Sequence, residues 1–241
     1  MSTIAYGDDP AQVGDLRRGA SGTPLVVLVH GGFWRDEWQR DLMDPLAVAL
    51  TERGYSTWNL EYRRLGPTGG GWPESADDVA AGLEALQRLP LEPPTGPIAV
   101  VGHSAGAQLA AVALARWDRE PTLFVGLAGL YDLAAAAREG VGWGSVQDLL
   151  GGEPADVPEA YEAASPAHAD PLGSRQVLIH GTADRHVPLD QSRRQAAAAG
   201  AKGDEVELVE IEAADHFDLI APRGPAWEAV LGALPPLSPG A

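Results

Sequence analysis

Cysteine is absent from this chain of 241 residues, which removes in one step a disulfide framework, thiolate zinc sites, iron–sulfur clusters and a thiol nucleophile. Lysine is almost as scarce: of the 17 basic residues, Lys202 is the single lysine and the rest are arginines. It stands in the turn-like segment Gly200-Ala201-Lys202-Gly203, so Schiff-base chemistry and a Walker-type phosphate loop are poorly supported. Basic runs longer than the pairs Arg17-Arg18, Arg63-Arg64 and Arg193-Arg194 are missing and the net charge is −17. A polyanion is repelled by such a surface, and no nucleic-acid partner is expected. The first residues, MSTIAYGDDP, hold neither a basic leader nor an apolar run, and no stretch approaches a membrane span. The expectation is a soluble, cytoplasmic protein without membrane contact.

Apolar runs of strand length alternate with longer segments of helical period. Runs at residues 24–30, 55–62, 97–104, 122–127, 176–180 and 205–211 read as strands, with an edge pair at 3–6 and 12–17. Residues 37–53, 75–89, 105–117, 189–199 and 223–234 read as helices, with Gly54 and Gly200 placed as left-handed C-terminal caps. Near-continuous Val, Leu and Ile in several strands implies burial on both faces. The pattern predicts an α/β fold: about eight strands, mostly parallel, with helices on both faces of the sheet. One domain spanning 1–241 is expected. Within it, residues 130–171, rich in Ala, Gly, Glu and Pro, form a small lid-like excursion, and the tail 235–241 frays.

The chemistry concentrates in three places. Gly102-His103-Ser104-Ala105-Gly106 is a G-x-S-x-G pattern. Alone it would arise by chance in roughly one chain of this composition in seven, so its context decides. Here it lies between a buried strand and a helical segment, where a tight turn lifts a serine hydroxyl above the sheet edge. His30-Gly31-Gly32-Phe33-Trp34 follows the most apolar early strand, and its glycines free the amides of Gly32 and Phe33 to join that of Ala105 in an oxyanion hole. His30 itself is read as shaping its own loop. A serine nucleophile needs a base and an orienting carboxylate, in chain order Ser, acid, His. Asp184, in Gly181-Thr182-Ala183-Asp184, and His216, in Asp215-His216-Phe217, each stand just past a strand end and fill those roles. His186 is too near Asp184 in sequence to be oriented by it and still reach the serine, so it is placed on a loop or pocket rim. Asp215 is read as a capping or solvated carboxylate, and His168 and His180 as structural. No histidine spacing suits a catalytic metal, and no cofactor is expected.

Together the elbow GHSAGA, the loop HGGFW and the segment HGTADRHVP before a late His resemble the α/β-hydrolase superfamily from about residue 24 to 217. Within it they look most like the small esterase/lipase branch that includes kynurenine formamidases (arylformamidases), to which NLEYRR at 59–64 and Trp72-Pro73-Glu74 are also similar. The resemblance implies a serine hydrolase acting through an acyl-enzyme on a short-chain ester or an aryl formamide. A general short-chain carboxylesterase and a non-catalytic ligand receptor are the alternatives. Trp34, Trp72 and Trp143, with Phe33, are the candidates for an aromatic-accepting pocket. The partner is a small ester or amide, neutral or zwitterionic; a homodimer is left open.

Overall fold

The computed structural model describes residues 1–91, 98–117 and 123–237. Eight strands form one sheet: β1 (Ser2–Ala5), β2 (Val13–Arg17), β3 (Leu25–Val29), β4 (Ser56–Leu60), β5 (Ala99–His103), β6 (Leu123–Leu127), β7 (Arg175–Gly181) and β8 (Val206–Ile211). Their spatial order is β1-β2-β4-β3-β5-β6-β7-β8. β1 and β2 pair antiparallel at one edge, and every pair from β4 to β8 is parallel. The eight strands agree with the sequence reading; residues 97 and 122, where two strands were expected to begin, lie outside the described residues, as do 238–241 of the tail.

Burial on both faces explains the apolar composition of the central strands. Val27 and Val29 of β3 pack into one core with Trp58, Leu60, Val79, Leu83 and Leu109. Val26 and Leu28 turn the other way, into a second core with Leu46, Leu50, Trp227 and Val230. Thus α2 (Glu74–Glu84) and α3 (Ala105–Ala115) cover one face while α1 (Asp44–Glu52) and α8 (Gly224–Ala233) cover the other. α3 is buried along nearly its whole length, which is why its sequence is apolar all round rather than striped.

Several helix limits differ from expectation. The segment 37–53 is divided: a 3₁₀ turn occupies Arg40–Met43 and α1 begins at Asp44, where Pro45 takes a first-turn position that needs no N–H donor. α7 (Asp190–Ala201) runs through Gly200, so Gly200 is not a cap; the left-handed residue is Gly203, at φ 97°. Gly54 does take the left-handed conformation, at φ 106°. Residues 130–171 carry three short helices, α4 (Leu133–Arg138), α5 (Ser145–Leu150) and α6 (Pro158–Ala164).

The strand order fixes where a site can form. β3 lies between β4 and β5, and the helices that follow β3 and β5, α1 and α3, cover opposite faces of the sheet. At such a reversal the loops beyond the strand ends part and open a crevice. The register Val29↔Gly102 sets the loop after β3 beside the turn after β5.

Candidate active site

Ser104 occupies the turn between β5 and α3 at φ 55°, ψ −121°, a conformation that L-residues adopt only when the surroundings enforce it. The enforcement is visible in the flanking glycines. A Cβ on Gly102 would sit 2.5 Å from the Ala107 Cα, and one on Gly106 would sit 2.2 Å from the His30 carbonyl oxygen. The Ser104 N–H donates to the Leu127 carbonyl at 2.8 Å, tying the turn to β6. Its Oγ is buried and has no hydrogen-bond partner among the described residues.

The loop after β3 turns through three consecutive left-handed residues, Gly32 (φ 112°), Phe33 (φ 51°) and Trp34 (φ 59°). The Gly31 carbonyl lies 2.7 Å from His30 Nδ1, and the Gly32 carbonyl accepts from the Arg35 N–H at 3.0 Å. Carbonyl and N–H point opposite ways in a trans peptide, so the N–H groups of Gly32 and Phe33 face away from those partners. No hydrogen bond engages them, or the N–H of Ala105, within the described residues. His30 shapes this loop: it is fully buried, lies 2.9 Å from Glu61 Oε1 through Nε2, and stacks on Tyr62 with centroids 4.4 Å apart. Burial pushes the Glu61 carboxyl up, but the His30 bond and the charges of His30 and Arg64 outweigh it, leaving a net downward shift.

Asp184 and His216 meet. His216 Nδ1–H donates to Asp184 Oδ2 at 2.6 Å, which fixes the tautomer and leaves the Nε2 lone pair available. The other carboxylate oxygen accepts from the N–H groups of His186 (2.8 Å) and Val187 (2.9 Å). Burial alone would raise the Asp184 carboxyl; the hydrogen bonds from His180 and His216, with that of Val187, hold it well below the usual range. A carboxylate so held stays ionised and can steady a charged imidazole.

Ser104 and His216 share the wall of a cavity of about 130 Å³, with Gly32, Phe33, Trp143 and Phe217. They are not hydrogen-bonded, as is common before a substrate tightens such contacts. Of the three tryptophans expected in the pocket only Trp143 lines it. Trp34 is fully buried, its indole N–H donating to Gln108 Oε1 at 3.0 Å. Trp72 packs against the core with the Arg116 guanidinium 5.4 Å over its ring. Neither indole reaches the cavity wall. His186 stands on the rim, 5.2 Å from the His216 ring. Asp215 caps its own loop through the N–H groups of Phe217 and Asp218. His168 pairs with Glu162 at the surface.

Four further residues at the site were not read from the sequence as part of it. Trp38 and Phe217, 42% and 40% exposed, stack across the cavity mouth with centroids 6.1 Å apart. His103 lines the cavity and packs 4.6 Å from His216. His180, at the end of β7, places Nε2 3.4 Å from Asp184 Oδ2. For the two histidines a signal existed, since one adjoins the serine and the other lies four residues before the acid. Among the described residues no group of His, Asp and Glu could hold a metal ion, and no helix is long and apolar enough to cross a membrane.

Comparisons with known proteins extend the geometry. The family model described as BD-FAE matches residues 16–198, most of the chain. An isoprenylcysteine alpha-carbonyl methylesterase of Arabidopsis thaliana is 26% identical over 250 aligned positions, covering 90% of this chain and 56% of that protein. Esterase LipQ of Mycobacterium tuberculosis is 29% identical over 227 positions, covering 82% and 51%. The chain thus spans about half the length of the curated relatives it matches. A truncated carbohydrate esterase from gut microbiota superimposes with a TM-score of 0.80 at 16% identity, over 96% of this chain and 93% of that one.

Proposed function

From the premise that the chain belongs to the BD-FAE family of α/β-hydrolases, we propose that it is a serine esterase cleaving short-acyl carboxylic esters. The observation that carries this is the 2.6 Å bond from His216 to Asp184 at the wall of the cavity that holds Ser104. His216 Nε2 takes the Ser104 proton as Oγ attacks the carbonyl carbon. The tetrahedral oxyanion is held by the N–H groups of Gly32 or Phe33 and of Ala105. Collapse breaks the bond to the leaving alcohol, which receives the proton from His216. Water, deprotonated in turn by His216, then releases the acid and restores Ser104. Asp184 keeps the imidazole oriented and steadies its charged form.

The acyl group is short. A cavity of about 130 Å³ has the volume of roughly four waters, far below the space a drug-sized ligand occupies. The leaving group lies outward, where Trp143, 79% exposed, borders both this cavity and an open groove with Glu139, Arg185 and His186. An aryl formamide is the second reading. Its formyl group is the smallest acyl unit, and Phe33, Trp143 and Phe217 offer ring faces to an aryl amine.

Parallel assays with p-nitrophenyl acetate and N-formylkynurenine test both readings. Ester turnover that falls ~10⁴-fold or more in Ser104→Ala is expected. Turnover surviving that substitution would reject the nucleophile, and absence of turnover on both substrates would reject the esterase. A kcat/KM for the formamide above that for the ester would move the assignment to the second reading.

A further inference from the structure

We infer that His103 is a positioning residue: its imidazole holds the loop bearing His216 against the serine turn. The inference rests on the reading of Ser104, His216 and Asp184 as a triad. His216 lies on the connection between β8 and the 3₁₀ turn Asp218–Ile220. Asp215 closes that connection on itself, accepting from Phe217 and Asp218 and donating its own N–H to Asp218, while the Ala183 N–H ties the Ala214 carbonyl to the loop after β7 at 3.0 Å. Ala213 N–H reaches Thr182 Oγ1 farther up the loop. Among the described residues, two bonds tie His216 itself to the rest of the site. One runs from its side chain to Asp184. The other is at its backbone, where His103 Nε2–H donates to the His216 carbonyl oxygen at 3.1 Å.

The first bond orients the ring about its own axis; the second sets how far the loop stands from the elbow. Because His103 immediately precedes Ser104, the distance between nucleophile and base is set through one residue. The ring is built for that single bond. It is 1% exposed, it lies tilted against the His216 ring with centroids 4.6 Å apart, and its Nδ1 is buried without a partner among the described residues. A neutral Nε2–H tautomer fits these contacts, since a proton on Nδ1 would be a buried donor without an acceptor. Burial, with the neighbouring His216, also pushes the His103 imidazole down.

Three variants separate positioning from packing. His103→Gln places an amide N–H close to the Nε2 position, His103→Asn stops short of it, and His103→Leu keeps bulk without a donor. A misplacement of about 1 Å at a reacting pair costs ~10²-fold. His103→Leu and His103→Asn are therefore expected to lower kcat on p-nitrophenyl acetate by ~10–100-fold with KM within about twofold, while His103→Gln recovers most of the loss. The downfield proton resonance of His216 Nδ1–H, read in the resting protein, should persist in His103→Gln and in Ser104→Ala and broaden or shift in His103→Asn. Should the leucine variant fail to fold, the Gln and Asn pair decides. Equal kcat and equal resonances in that pair would overturn the inference. The resonance needs no substrate, so it stands even if no ester is turned over, an outcome that would fall on the esterase reading alone.

Discussion

At the scale of single residues, the site holds two buried side chains whose acidity differs from that in water. Asp184 remains ionised although buried, because His216, His180 and two peptide N–H groups point at it. Its folded-state acidity is stronger than that of the unfolded chain, so the stability it contributes is complete above the ordinary carboxylate range and is lost only as pH falls below it. His103 is also shifted down, by burial first and then by His216. Below about pH 6.5 the unfolded chain protonates this histidine while the folded one resists, so stability should fall from there downward. The groups that act on it are His216 after β8, Asp184 after β7 and His30 after β3; the carboxylate opposes the shift and the two imidazoles favour it. The expected outcome is a smaller drop in thermal midpoint between pH 7.5 and pH 5.5 for His103→Gln than for the unsubstituted protein. Scanning calorimetry at the two pH values checks it, and equal drops would remove His103 from the acid-side balance. Asp184 stays ionised across that interval and does not enter the difference.

At the scale of elements, the strand–turn–helix unit from β5 to α3 depends on two glycines for different reasons. Gly102 clears the first turn of α3, whereas Gly106 lets that helix approach the backbone of the neighbouring loop at His30. Gly106→Ala brings a methyl to 2.2 Å from a carbonyl oxygen that is part of the main chain and cannot rotate aside. Overpacking of this kind costs ~1–3 kcal/mol, which in a chain of this size lowers the thermal midpoint by about 2–12 °C. The same shift drives α3 from the loop carrying Gly32 and Phe33, so kcat should fall as well; a thermal melt together with ester turnover reads both. This unit, and the glycine loop after β3, were legible in the sequence because steric need leaves few residue choices there. So were Asp184 and His216, since strand ends are marked by composition. Of the three tryptophans, two were not. Trp34, Trp72 and Trp143 all stand near glycines or prolines, but side-chain direction is decided by tertiary contacts such as Trp34 to Gln108, 74 positions away in the chain. Gly200 failed as a cap because α7 continues two residues past Ala199, to Ala201, and glycine tolerates a last turn.

At the scale of the whole molecule, a net charge of −17 on 241 residues sets a field that every substrate crosses before it meets the cavity. Some of the arginines are committed: Arg35 is paired with Asp148 and Arg194 with Glu139. The far field is therefore negative at low salt, when the Debye length is about 30 Å, and is largely screened near 10 Å at 0.1 M. A neutral ester feels little of this, and its kcat/KM should stay within about twofold between 10 and 300 mM salt. An ester with a carboxylate on its leaving group should gain severalfold over the same range, while one with a quaternary ammonium should lose. The sign separates a surface that repels anions from a local pocket that selects them. If the carboxylate ester were favoured at low salt, a cation at the mouth, with Arg185 beside His186 the nearest candidate, would be acting against the field of the protein, and the leaving-group side of the site would be anion-selective rather than open to neutral rings.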